Sequence, residues 1–111
     1  MLLLCEAKQS TPLKRFTIIA FTHKTLELEE VGKLHLDDRI RAKRLQSVKQ
    51  ALHLDELMYL STCNRVEFFV VGSQSVSIEF ITSFFGEFAP NWSSELATKM
   101  ANAAEIFSGR N

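Results

Sequence analysis

Leu57-Met58-Tyr59-Leu60-Ser61-Thr62-Cys63-Asn64-Arg65-Val66-Glu67-Phe68-Phe69-Val70-Val71 is the stretch that decides the fold. Aliphatic, aromatic and β-branched residues fill both of its ends, and such side chains suit a pleated, half-buried surface. Residues 57–61 therefore read as one strand and residues 65–71 as the next. Thr62-Cys63-Asn64 is tight enough to turn the chain straight back between them. In the later strand Val66, Phe68 and Val70 point one way, and Arg65, Glu67, Phe69 and Val71 the other, because successive side chains alternate.

Working upstream, Phe16-Thr17-Ile18-Ile19-Ala20-Phe21 is another strand. Its nearly continuous apolar run predicts cover on both faces. Thr22-His23-Lys24-Thr25 follows as a polar loop, and residues 26–34 leave room for a short helical turn with Gly32 as a breaker. Asp37 or Asp38 can cap a helix over residues 38–53, a side-chain oxygen accepting from the free amides at its start. Leu36, Ile40, Leu45, Val48 and Leu52 share one arc of that helix, which predicts its buried side. Arg39, Lys43, Gln46, Lys49 and Gln50 occupy the opposite arc, which reads as a solvated face or as one able to approach a phosphate backbone. Arg41 and Arg44 fall at the apolar margin, where their stems bury and their heads stay wet.

Downstream, Ile78, Ile81, Phe85 and Phe88 recur at helical spacing within residues 75–88, and Pro90 ends the segment. Ser93 or Ser94 can cap a further helix to about Ala101, with Leu96 and Met100 inward. Ala104–Phe107 is the candidate for a last strand. The order strand, helix, two strands, helix, strand is that of an α+β, ferredoxin-like split βαβ fold. It predicts a mainly antiparallel sheet with helices packed on one face.

The 111 residues suit one domain, 1–111. Thirteen basic residues balance thirteen acidic ones, which excludes a domain that grips nucleic acid mainly through a bulk basic surface. No run approaches the roughly 20 apolar residues of a membrane-spanning helix. Met1-Leu2-Leu3-Leu4-Cys5 lacks the basic start and the length of a secretion signal, so a reducing cytoplasmic setting is expected. Two cysteines are too few for a disulfide framework, and Cys5 reads as a bystander. No metal site is expected: Cys5, Cys63, His23, His35 and His53 show no ligand spacing. The phenylalanines of residues 80–88 read as core.

Cys63 holds the position of most chemical interest. In the connection between two strands a thiol can reach solvent while its backbone is held, and a thiolate attacks acyl carbons readily. Its pKa must fall from about 8.5 to serve at neutral pH, and cations such as Arg65 are one means. The opposite reading is that of a small buried hydrophobe. Arg65 can pair with Glu67 on its own strand, or its planar fork can take a ligand carboxylate. His23 can be a base, a ligand or a plain loop residue.

Leu60-Ser61-Thr62-Cys63-Asn64-Arg65-Val66-Glu67 resembles the signature of the glutamyl-tRNA reductase family, and Phe21-Thr22-His23-Lys24-Thr25 resembles that family's His-Lys-Thr segment. The likeness runs from about Phe16 to Val71. It implies that Cys63 attacks the ester of glutamyl-tRNA, leaving a thioester that NADPH reduces to glutamate-1-semialdehyde, in tetrapyrrole biosynthesis. It implies Thr62, Asn64 and Arg65 as substrate-binding residues, with His23 lining the site. It also implies NADPH bound by a separate domain, a homodimeric full-length enzyme and glutamate-1-semialdehyde aminotransferase as a partner. No G-x-G-x-x-G segment occurs, so this chain by itself is expected not to complete the reduction. A family histidine in a His-Leu-Phe-Arg segment is expected past Asn111 and is not assigned to His23. The chain departs from the family at Leu26-Glu27 and Val31-Gly32, where Ala-Pro and an Arg-Glu pair are usual. The competing readings are a non-enzymatic RNA-binding module and an interaction domain with an inert, buried Cys63.

Overall fold

A computed structural model describes residues 14–110. The expectations for Met1–Cys5, including the bystander role of Cys5, lie outside the described residues. Four strands, β1 (Arg15–Thr22), β2 (Glu56–Thr62), β3 (Arg65–Gly72) and β4 (Glu105–Arg110), form one sheet in the order β2-β3-β1-β4. Every neighbouring pair is antiparallel. Helices α1 (Leu28–Gly32) and α2 (Asp38–Ala51) connect β1 to β2, and α3 (Ile78–Phe88) and α4 (Ser94–Ala103) connect β3 to β4. This is the ferredoxin-like α+β fold that the order of elements predicts.

Side-chain alternation divides the sheet as expected. Val66, Phe68 and Val70 of β3 are buried, as are Ile19 and Phe21 of β1. Phe68 sits at the middle of this layer. Its ring meets Phe84 at 4.8 Å, Phe88 at 5.0 Å and Tyr59 at 5.4 Å, the first two edge to face. That geometry places the positive edge of one ring on the negative face of another. Phe80, Ile81, Phe84, Phe85 and Phe88 of α3, with Met100 of α4, complete the core. Ser77 and Ser93 cap these two helices through hydrogen bonds from Phe80 N–H and Leu96 N–H. Asp37 caps α2, accepting from Arg39 N–H at 2.9 Å.

Two expectations need correction. β1 is covered on both sides only toward its end, where Ile19, Ala20, Phe21 and Thr22 are all buried; Phe16 and Ile18, on the side away from the described helices, are only half-buried, near Met58, Leu60 and Phe107 at 61%, 56% and 52% exposure. The aliphatic run of β1 reflects a central strand with apolar residues on both sides, and the described helices lie on one side. Ile40, placed on the buried arc of α2, is 46% exposed, while Val48 on the same arc is fully buried. The arc gives direction but not depth, and the first turn of α2 overhangs the core. Arg41 and Arg44 behave as predicted at the margin. Arg41 lies 5.0 Å from the Tyr59 ring centre, and Arg44 donates to the Phe88 carbonyl at the end of α3 at 2.8 Å.

The loop after β1 is tied to the helical layer. Thr25 Oγ1 donates to the Ala103 carbonyl at 2.7 Å, and Lys99 of α4 pairs with Glu30 of α1. The hydrogen bond from Lys99 holds the Glu30 carboxyl below its ordinary value of 4.5, and the same bond raises the Lys99 ammonium. A depressed carboxyl contributes its full stability above the unfolded-state value and loses it as pH falls through the lower folded value. Replacing Glu30 with Gln is expected to flatten the fall in urea midpoint between neutral pH and the acid side of 4.5, as followed by circular dichroism. Phe68→Ala is expected to destabilise the chain by about 3–5 kcal/mol in the same assay at neutral pH.

Candidate active site

β2 ends at Thr62 and β3 begins at Arg65, so Cys63 and Asn64 alone make the turn. Thr62 and Arg65 pair across it, with Thr62 Oγ1 3.5 Å from the Arg65 carbonyl. Among the described residues His53 is the one non-glycine residue with positive φ, so neither turn residue is left-handed. The turn is therefore not of the mirror-image type that matches strand twist, and turns of the ordinary hand splay the strand ends. Cys63 is an exposed, free thiol at this tip. The reading of Cys63 as a buried residue is excluded.

The register of β1 brings a second loop to the same place. Thr22, the last residue of β1, stands opposite Arg65, and His23 and Lys24 follow directly. Thr22, His23, Lys24, Thr62, Asn64 and Arg65 line one open pocket of about 250 Å³. Thr62, Asn64, Arg65 and His23, singled out in the sequence, are thus brought together. Cys63 does not itself line this hollow; it stands on its rim between two residues that do. Sequence reasoning missed Thr22 and Lys24 as wall residues. The signal was available in their position at the end of the strand that pairs with β3, but only once the register is known.

Thr22 organises its loop. Its hydroxyl accepts from Lys24 N–H at 3.1 Å and donates to Glu105 Oε1 at 3.3 Å, while its carbonyl accepts from Thr25 N–H and Leu26 N–H at 3.3 and 3.1 Å. Arg65 is set by Glu67 two residues on, Nε donating to Oε2. This is the strand-face pair expected from the sequence, and it leaves the terminal guanidinium nitrogens for a ligand. A guanidinium fork can take a carboxylate in bidentate fashion. The hydroxyls of Thr62 and Thr22 and the amide of Asn64 add neutral hydrogen-bonding groups. The lining holds permanent cations and no carboxylate, so it suits an anionic, hydrogen-bonding ligand of small size. Among the described residues no group of three or more His, Cys, Asp or Glu side chains could hold a metal ion. No described helix is long and apolar enough to cross a membrane.

The fold and site define an α+β domain that presents a cysteine beside an arginine-lined pocket. Comparison with known proteins carries this further. Residues 19–109 match the family described as Glutamyl-tRNAGlu reductase, N-terminal domain, and the chain belongs to that family. The chain is 32% identical over 73 residues to a glutamyl-tRNA reductase of Acaryochloris marina, a match covering 65% of this chain and 17% of that protein. It is 41% identical over 61 residues to a glutamyl-tRNA reductase of Helicobacter pylori, covering 53% and 14%. Among solved structures, Glutamyl-tRNA Reductase from Methanopyrus kandleri has the same fold, with a TM-score of 0.53 at 21% identity over 85% of this chain and 19% of that one. The chain spans less than a fifth of the length of these relatives.

With Cys5 replaced by Ser, native protein is expected to titrate one thiol with a disulfide reagent as fast as it does in urea. A native rate slower by orders of magnitude would mean that Cys63 is shielded.

Proposed function

We propose that this chain is the catalytic domain, residues 1–111, of a glutamyl-tRNA reductase, and that its own residues carry out the acyl-transfer half of the reaction. The observation that carries the proposal is the exposed Cys63 on a hairpin tip whose two flanking residues, with Arg65, line a pocket. The Cys63 thiolate attacks the ester carbonyl joining glutamate to the 3′ end of the tRNA. A carbon–sulfur bond forms, the carbon–oxygen ester bond breaks, and the ribose oxygen leaves and takes up a proton. The glutamyl group is left as a thioester, which divides one hard displacement into two easier ones. Arg65 takes the side-chain carboxylate of the glutamyl group, and Thr62 and Asn64 hydrogen-bond the acyl group beside the thiol. His23 stands at the same pocket.

The resemblance also implies NADPH. The residues here do not fit it. Glycines 32, 72, 86 and 109 fall in no G-x-G-x-x-G turn between a strand and a helix, and the antiparallel sheet offers no crevice of the doubly wound kind. We therefore assign the reduction to glutamate-1-semialdehyde to chain outside these 111 residues and derive no step of it from them. The same reading carries a cytoplasmic, homodimeric full-length enzyme that hands its product to an aminotransferase.

A binding module without chemistry is the second reading, favoured by the exposed Phe107 and half-buried Phe69 on the sheet face opposite the described helices. Aromatic side chains on such a face can stack bases. One experiment separates the two. After incubation with glutamyl-tRNA, mass spectrometry of the digested protein is expected to show a glutamyl adduct on Cys63, absent in Cys63→Ala and after prior alkylation. Tight tRNA binding that alkylation does not alter, with no adduct, would favour the module instead.

A further inference from the structure

Lys24 shares the pocket with Arg65 but stands in a different charge environment. Arg65 is paired with Glu67; among the described residues no carboxylate pairs with Lys24. Its backbone, in contrast, is fixed. Lys24 N–H is bound by the Thr22 hydroxyl, which is anchored in turn on Glu105, and Thr25 is fastened to Ala103. A pinned loop thus places Lys24, an exposed residue with a flexible stem, in the wall of the pocket that Arg65 also lines. The whole chain has zero net charge, so two permanent cations around one hollow are a local feature.

The charges of an aminoacyl-RNA end can be matched to these two groups. The glutamyl side chain offers one carboxylate, and the planar fork of Arg65 suits it in shape. No second carboxylate remains for Lys24. On the other side of the ester, the nearest anion is the phosphodiester one nucleoside away. An ammonium is a compact point charge with three rotatable donors and makes no demand for a planar partner, which suits a phosphate oxygen. The ester carbonyl would then lie between the two cations, near the rim that carries Cys63.

We propose that Lys24 binds the phosphate on the 5′ side of the terminal nucleoside, so that the pocket recognises the RNA end as well as the amino acid. This rests on the function proposed above. The test measures how fast Cys63 becomes acylated by two donors, glutamyl-tRNA and 3′-O-glutamyl-adenosine, which lacks any phosphate. The readout is the ratio of the two rates, with circular dichroism to show that each variant is folded. Lys24→Ala is expected to lower the tRNA-to-nucleoside ratio about tenfold, and Lys24→Arg to restore most of it. Arg65→Lys is expected to slow both donors and leave the ratio near that of the wild type. With the tRNA donor, Lys24→Ala is also expected to make the slope of log rate against log salt shallower by about 0.7, the value for one phosphate contact on a single strand. An unchanged ratio or an unchanged slope in Lys24→Ala would overturn the assignment of Lys24 alone. Wild-type protein acylated by neither donor would overturn the proposed function, and this inference with it.

Discussion

The pairing of β1 with β3 is the constraint on which the rest of the structure depends. Ile19 faces Phe68, Phe21 faces Val66 and Thr22 faces Arg65. Side chains alternate along a strand, so a slip of one residue would turn Ile19 and Phe21 out of the core and Thr22 into it. The register is held because the large apolar side chains stand on the side that the helices cover, while the small or polar Ala20 and Thr22 stand on the other. Ile19, Phe21, Val66 and Phe68 are all within 1% of full burial. The same register sets the pocket. Residues 22–24 and 62–65 are distant in the chain, and only this pairing puts the end of β1 level with the tip of the hairpin.

Core and site use opposite sides of one sheet. The inward side meets α3 through a cluster of phenylalanine rings, with Tyr59 bridging to the Leu34 carbonyl at 2.9 Å. The outward side carries Thr62, Arg65 and Thr22 at one end, with Glu67 and Glu105 one register row further along. Arg65 and Thr22 are therefore each steadied by a carboxylate on their own side of the sheet. Thr22, Thr62 and Arg65 are positioned by strand ends, which hold side chains more closely than the turns that carry His23, Lys24 and Asn64.

Much of this fold can be read from the residues. The β-branched and aromatic runs mark β1, β2 and β3, and the helical spacing of Ile81, Phe85 and Phe88 marks the inward face of α3, although Ile78, of the same series, is 47% exposed at its first turn. Ser77 and Ser93 act as caps, the second as expected and the first two residues inside the anticipated start. What cannot be read is anything that depends on depth or on register. Ile40 satisfies the periodicity of a buried position and is still outside, because periodicity knows nothing of where the neighbouring element ends. Thr22 and Lys24 stand in a short polar loop that carries no chemical signal by itself. Glu105 opens the last strand, and its hydrogen bond with Thr22 spans 83 residues, a separation that no local pattern encodes. For Cys63 the spacing left two readings open. The exposed turn position removes one of them, and the neighbouring Thr62, Asn64 and Arg65 give the other its surroundings.

The chain contains a single tryptophan, and its location has a practical value. Trp92 lies in the link between α3 and α4, its ring centre 5.0 Å from that of Phe85 and its amide bonded to the Ala89 carbonyl at 3.0 Å. It packs against the helical layer, on the far side of the sheet from His23, Lys24 and Arg65. Its emission therefore reports whether that layer is assembled. A loss of reactivity with unaltered emission can then be assigned to chemistry at the hairpin tip, and a joint loss to melting of the domain.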